Sequence, residues 1–151
     1  MKNNIKIFTI ILLIIIAIGA VYYLGFKQSD SIRGCYVAHL AKDVFTLEVQ
    51  TQQGENVSGI LDINNYEKDS SSGTFNGTYK DGILFGEYSF RSEGMDSVSQ
   101  IIFKKEGNGF LRGYGKVDDL TGTTFTSLKD VQFDSSYIYN LVSATCTNLK
   151  K

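Results

Sequence analysis

From residue 35 onward, apolar and polar side chains alternate with a period of two, and Gly, Asn or Asp interrupts the alternation at short intervals. Successive strand side chains point to opposite faces, so this pattern specifies half-buried β-strands joined by tight turns. It predicts strands over residues 35–41, 44–51, 56–64, 73–80, 83–91, 97–105, 110–117 and 128–133. Lys80-Asp81-Gly82 supplies a hairpin turn, because Asp-Gly accepts the positive φ of primed turns. Glu106-Gly107-Asn108-Gly109, Glu93-Gly94 and Gln53-Gly54 mark further short connections. The longest polar connections are residues 65–72 and the stretch around 121–126. Asp134-Ser135-Ser136 reads as a helix N-cap leading into a short terminal helix over 137–143, whose Ile138, Leu141 and Val142 share one face.

A local motif narrows the architecture. Four strands carry an apolar residue two positions before a glycine: Val57 before Gly59, Phe75 before Gly77, Leu84 before Gly86, and Leu111 before Gly113. With a period of two, each glycine falls on the face of its apolar neighbours, taken here as the inner one. Glycine within a strand weakens it, and its repetition suggests strands bent tightly around a small core. Eight consecutive strands with short hairpins then point to an all-β domain, an antiparallel up-and-down barrel of roughly eight strands. A two-sheet sandwich is the alternative.

The N-terminus is of another kind. Residues 7–26 contain no charged side chain. As a helix rising ~1.5 Å per residue, such a stretch is long enough to cross the ~30 Å hydrocarbon layer of a bilayer. Lys2 and Lys6 precede it, which keeps the N-terminus cytoplasmic and the remainder outside. Tyr22, Tyr23 and Phe26 suit the interfacial aromatic belt. The expected organisation is a signal-anchor over residues 1–27, a polar linker over 28–34 and an extracytoplasmic domain over 35–151. The alternative is a cleaved signal peptide, giving a secreted or periplasmic protein; Gly19-Ala20 is small enough for cleavage, which would leave a greasy new terminus. Ile32-Arg33-Gly34-Cys35 ends like a lipobox, but Arg33 stands where a small residue belongs, so lipid attachment is not expected.

Export gives meaning to the only two cysteines, Cys35 and Cys146. Outside the cytoplasm such a pair is expected as a disulfide, here tying together the two ends of the domain. A reactive thiol would need a base beside it, and the single histidine, His39, lies four residues along a strand, ~13 Å away.

The remaining chemistry is sparse. A formal net charge of −1 gives no basic face for nucleic acid. Excluding the anchor leaves 12 basic and 16 acidic residues, so the domain itself is acidic. No metal-ligand spacing, phosphate loop, nucleophile elbow or EF-hand pattern occurs, and neither a cofactor nor a metal is expected. Glu87, Glu93 and Asp96 offer carboxylates near one hairpin end, and Glu67-Lys68-Asp69 reads as a solvated loop. Asn56-Val57-Ser58 and Asn76-Gly77-Thr78 match the glycosylation triplet, which matters only in a host that uses it. Arg112 shares a face with Phe110 and Tyr114, opposite the glycine-bearing face, and is expected outside. Were the faces reversed, its planar fork would enter the barrel and could hold an anion.

The aromatic residues carry the stronger hint. Phe45, Phe75, Tyr79, Tyr88, Phe90 and Phe103 are expected inside, either filling the barrel or lining a site for one small apolar ligand. Gly34-Cys35-Tyr36, Lys42-Asp43, Tyr66-Glu67-Lys68-Asp69, residues 88–94 and Gly113-Tyr114-Gly115 together resemble small envelope proteins of Bacteroidota. That resemblance covers residues 34–146 and implies a lipocalin-like barrel with a Cys near each end; it implies no reaction or catalytic residue. The expectation is a non-enzymatic, membrane-anchored binding module for a small apolar ligand or an envelope partner. A structural or inhibitor-like protein acting through its outer surface is the second reading, and a wall or glycan hydrolase a distant third.

Overall fold

The computed structural model describes residues 12, 14–16, 19, 31–118, 122–125 and 127–147. The chain divides into two units, Met1–Asp30 and Ser31–Lys151. In the first, Leu12, Ile14, Ile15, Ile16 and Gly19 are helical and the four apolar side chains are exposed. Among the described residues no helix is long and apolar enough to cross a membrane. The span expected over 7–26 falls for the most part outside the described residues.

The second unit is a closed antiparallel barrel of eight strands with one extra strand. Seven strands run as a meander: β1 (Gly34–Leu40), β2 (Asp43–Gln53), β3 (Asn56–Asn64), β4 (Ser71–Lys80), β5 (Ile83–Ser92), β6 (Met95–Glu106) and β7 (Gly109–Tyr114). The chain then makes a small separate hairpin of β8 (Lys116–Asp118) and β9 (Gly122–Thr124), a 3-10 turn over Leu128–Asp130, and β10 (Gln132–Phe133). It returns as β11 (Tyr139–Ser143), which pairs with β7 on one side and β1 on the other and closes the barrel. β10 is the extra strand, added to the far half of β7.

Alternation decides the inner face. Phe45, Leu47 and Val49 of β2, Val57 and Leu61 of β3, Phe75 and Tyr79 of β4, Leu84 and Tyr88 of β5, and Ile101 and Phe103 of β6 form one buried cluster. The Asp81-Gly82 and Glu93-Gly94 turns each place two residues at positive φ, as primed two-residue hairpins require. Mid-strand glycines mark close approaches of the backbone. Gly77 and Gly86 face each other across β4 and β5, and a Cβ on Gly77 would collide with the Phe85 carbonyl oxygen. At Gly59 a Cβ would collide with the Glu48 carbonyl oxygen. Only glycine lets the sheet fold this sharply onto itself.

Cys35 and Cys146 form a disulfide with Cα atoms 5.1 Å apart, as export led us to expect. It sits on the outer face, where Cys35 and Val37 pack with Val44. The Cys146 amide donates to Glu48 Oε1 at 3.1 Å.

Three sequence expectations need correction. The strand expected over 110–117 stops at Tyr114, because the chain leaves the barrel at Gly115, whose Cβ would strike the Phe125 ring at 2.7 Å. Of the strand expected over 128–133, only Gln132 and Phe133 pair as a strand, and Leu128–Asp130 form a 3-10 turn. The helix expected over 137–143 is instead β11, the strand that closes the barrel. Asp134 does make a capping bond, accepting from the Ser136 amide at 2.8 Å. That bond shapes a bulge: Phe133 pairs with Gly113 and Tyr139 with Phe110, so extra residues on the β10–β11 side loop out between the two pairings.

Candidate functional site

The two ends of the barrel differ. At the end where β1 begins, Ile32 is fully buried in the core cluster. Its amide donates to Gln52 Oε1 at 2.8 Å, and its carbonyl oxygen accepts from the Tyr36 hydroxyl at 2.9 Å. This segment plugs the barrel. The middle is filled: Leu47, Leu61, Phe75, Leu84, Phe103, Phe110 and Tyr139 have no solvent exposure. Phe103 meets Tyr139 edge-on at 5.3 Å, and Tyr36 meets Phe110 edge-on at 4.9 Å, the geometry that aromatic quadrupoles favour.

The opposite end is not sealed. Inward-facing Ile63, Gly73, Phe90 and Ser99 are half-buried there, and Ser97 is exposed. The Phe90 ring stacks on Tyr88 at 4.7 Å. The Tyr88 hydroxyl donates to the Leu61 carbonyl oxygen at 2.8 Å and lies 3.2 Å from Ser71 Oγ. Phe45 packs against Tyr137 at 5.3 Å. Of the six aromatic residues expected inside, Phe45, Phe75, Tyr79, Tyr88 and Phe103 therefore belong to the packed interior, with Phe45 and Tyr88 nearest this end, and only Phe90 is half-buried at it.

Arg112 corrects an expectation. It pairs with Phe103 across β6 and β7 and follows Phe110 by two positions, so it enters the barrel. The opposite face of β7 is covered from outside: Gly113 lies against Ile102, Val131 and Phe133, and Leu111 is buried beside it. With that outer cover absorbing Leu111, the larger Phe110 takes the core and carries Arg112 inward.

There half-buried Arg112 meets a group of tyrosines that runs from exposed Tyr114 to buried Tyr137 and Tyr139. Its guanidinium carbon is 5.4 Å from the centroid of the Tyr114 ring. The Tyr114 and Tyr137 hydroxyls hydrogen-bond to one another. Burial, then the bond to Tyr114, raises the Tyr137 hydroxyl far above the ordinary tyrosine range. Tyr139 is fully buried, and its hydroxyl makes no hydrogen bond. Burial pushes that hydroxyl up to about 12, against the opposing field of the Arg112 guanidinium, which approaches without completing a hydrogen bond. Burial also raises Tyr88, where Ser71 and Arg112 pull the other way. The ion pairs among the described residues, Lys80–Glu55 at 3.1 Å and Arg91–Asp96 at 3.3 Å, leave Arg112 out.

The carboxylates considered from sequence do not gather into a site. Glu87 is exposed on the outer face, Glu93 sits in the β5–β6 turn, and Asp96 is tied to exposed Arg91. Glu67, Lys68 and Asp69 are exposed in the β3–β4 loop, where Asn65 Nδ2 donates to the Asp69 carbonyl oxygen at 2.6 Å. His39 is exposed, as are Asn56 and Asn76 of the two glycosylation triplets. No cluster of three metal-ligating side chains occurs among the described residues.

Sequence reasoning missed Tyr114, Tyr137 and Tyr139 as a group. Their signal lay in the period-two spacing of Tyr137 and Tyr139, hidden by the helical reading of that segment. Comparison with known proteins finds no matching family model, no matching curated protein and no matching solved structure.

Proposed function

We propose that this chain is a non-enzymatic binding module, held at a membrane by its N-terminal segment with the barrel outside, which takes a small ligand at the open end of the barrel. One observation carries the reading: the barrel is plugged by Ile32 at one end and filled through its middle, yet Ile63, Gly73, Phe90, Ser97 and Ser99 leave the other end unsealed. Apolar surface left open costs about 25 cal/mol per Å² relative to burial, and a ligand seated on the half-buried Ile63 and Phe90 would recover part of that. The disulfide suits an oxidising compartment, and the closed barrel suits the lipocalin-like class that the sequence resembles. The inward polar groups near the opening are hydroxyls and one guanidinium, which fit binding better than acid–base chemistry.

A second reading has its own support. Leu40 at the end of β1, Tyr66 in the β3–β4 loop and Met95 at the start of β6 stand exposed at that same end and could seat an envelope partner. Native mass spectrometry of the full chain extracted from its own membranes separates the two. The first reading expects a co-purifying small molecule that Ser97→Trp displaces while the disulfide and melting temperature persist. A partner crosslinked in membranes and lost with Met95→Asp, without any bound small molecule, would favour the second. Neither result would overturn both.

A further inference from the structure

The inward turn of Arg112 gives the open end a chemical preference. Arg112 is half-buried at this end, so its guanidinium loses part of its hydration, and no carboxylate beside it offsets that loss. Arg112 stands in no ion pair among the described residues; its partner there is the face of the Tyr114 ring. A cation–π contact uses the face of the guanidinium and leaves its N–H edge available to an acceptor. Beside it the Tyr139 hydroxyl, fully buried, has no hydrogen-bond partner. An orphaned donor of that kind is unfavourable unless something else accepts from it. Two neighbouring donors, one of them charged and neither with a carboxylate or carbonyl acceptor among the described residues, thus lie below the open end, where Phe90 is half-buried and stacks on buried Tyr88.

We propose that Arg112 and Tyr139 hold the carboxylate of a small organic acid whose flat apolar body lies against half-buried Ile63 and Phe90, the latter backed by Tyr88. This rests on the ligand-binding reading above and specifies the ligand's class. A single guanidinium balances a single negative charge, which favours a carboxylate over a phosphate dianion; Asp62, whose field reaches Tyr88, weighs further against a second negative charge. The planar fork of Arg112 matches the two oxygens of a carboxylate. The filled middle of the barrel limits the body to a short one, and the Phe90 face favours a ring.

The test uses the full chain and three probes followed by ligand-observed NMR: benzoate, benzyl alcohol and inorganic phosphate. Benzoate should bind, with benzyl alcohol about 10- to 100-fold weaker, the worth of a charge-assisted hydrogen bond. Arg112→Gln should weaken benzoate by a similar factor. Tyr139→Phe removes only an unpartnered hydroxyl, so it should fold normally and still weaken benzoate several-fold. Equal binding of benzoate and benzyl alcohol, unaffected by Arg112→Gln, would overturn the carboxylate assignment and leave the ligand-binding reading standing. Phosphate binding as tightly as benzoate would overturn the apolar body. Benzoate failing to bind to a folded chain that still co-purifies with a neutral molecule would overturn the proposal alone, and failure with no co-purifying molecule would overturn both readings.

Discussion

Tyr139 concentrates the physical tension of this barrel in one hydroxyl. It is buried and unpartnered, and burial keeps it protonated up to about 12, against 10.0 for a free tyrosine. The neutral form is therefore the one the fold prefers. Stability from this preference is fully present below pH 10 and is lost as the pH rises from 10 through about 12. The gap corresponds to about 3 kcal/mol. Tyr137 and Tyr88 are raised as well, so their losses fall in the same direction. Denaturant unfolding at a series of alkaline pH values should show this decline, and Tyr139→Phe should flatten it. At neutral pH the same variant should be as stable as the parent or more so, by up to about 2 kcal/mol, since it deletes an unsatisfied polar atom. A steep alkaline decline unchanged by Tyr139→Phe would place the raised hydroxyl elsewhere. Residue-level identity was readable from the sequence for the core aromatics of β4, because Phe75 and Tyr79 alternate cleanly with polar neighbours. It was not readable for Arg112: strand β7 carries apolar residues on both faces, and only the covering Val131 and Phe133 decide which face turns in.

At the level of elements, the hairpins were legible and the return strand was not. Asp81-Gly82 allows few conformations other than a primed turn, so residues adjacent in sequence settle the structure of that connection. Asp134-Ser135-Ser136 is different in kind. An Asp side chain accepting from the amide two residues on will begin a helix or stabilise a bulge with the same bond. Pairing partners elsewhere in the barrel make the choice, since the vacant edges of β1 and β7 recruit residues 139–143 as a strand. The bulge carries Tyr137 into the core cluster beside Phe45, so its shape bears on the candidate site. Asp134→Ala removes the bond to the Ser136 amide and should cost about 1 kcal/mol, by analogy with loss of a helix cap. Amide exchange should then quicken over residues 135–138, and Tyr137 should lose part of its protection from alkaline ionisation. Unchanged exchange in that segment would assign the bulge to the packing of Tyr137 and leave Asp134 a bystander.

For the whole molecule, closure is the weak step. The β2–β3, β4–β5 and β5–β6 ladders each run nearly the length of the barrel, whereas β11 meets β7 through two residue pairs and β1 through three. An antiparallel barrel whose last seam is so short should open there first, because each seam's opening free energy follows the contacts it breaks. The disulfide lies beside this seam: Cys35 pairs with Ser143 at the end of β11, and Cys146 comes three residues later. It joins residues 111 apart in sequence, for which chain entropy alone gives about 5 kcal/mol, and losing such a bridge commonly costs about 2–5 kcal/mol. The pairing of the cysteines could be read from their places at the two ends of the alternating segment; its role in holding the closing seam could not, because β11 was hidden. Paired Cys35→Ser and Cys146→Ser variants should unfold at lower denaturant, and their amide exchange should rise first over residues 34–40 and 139–143, while the β3–β6 ladders stay protected. The order is the informative part. A uniform rise in exchange across all eight strands would mean that the bridge stabilises the barrel only through its unfolded state, and that the seam closes equally well without it.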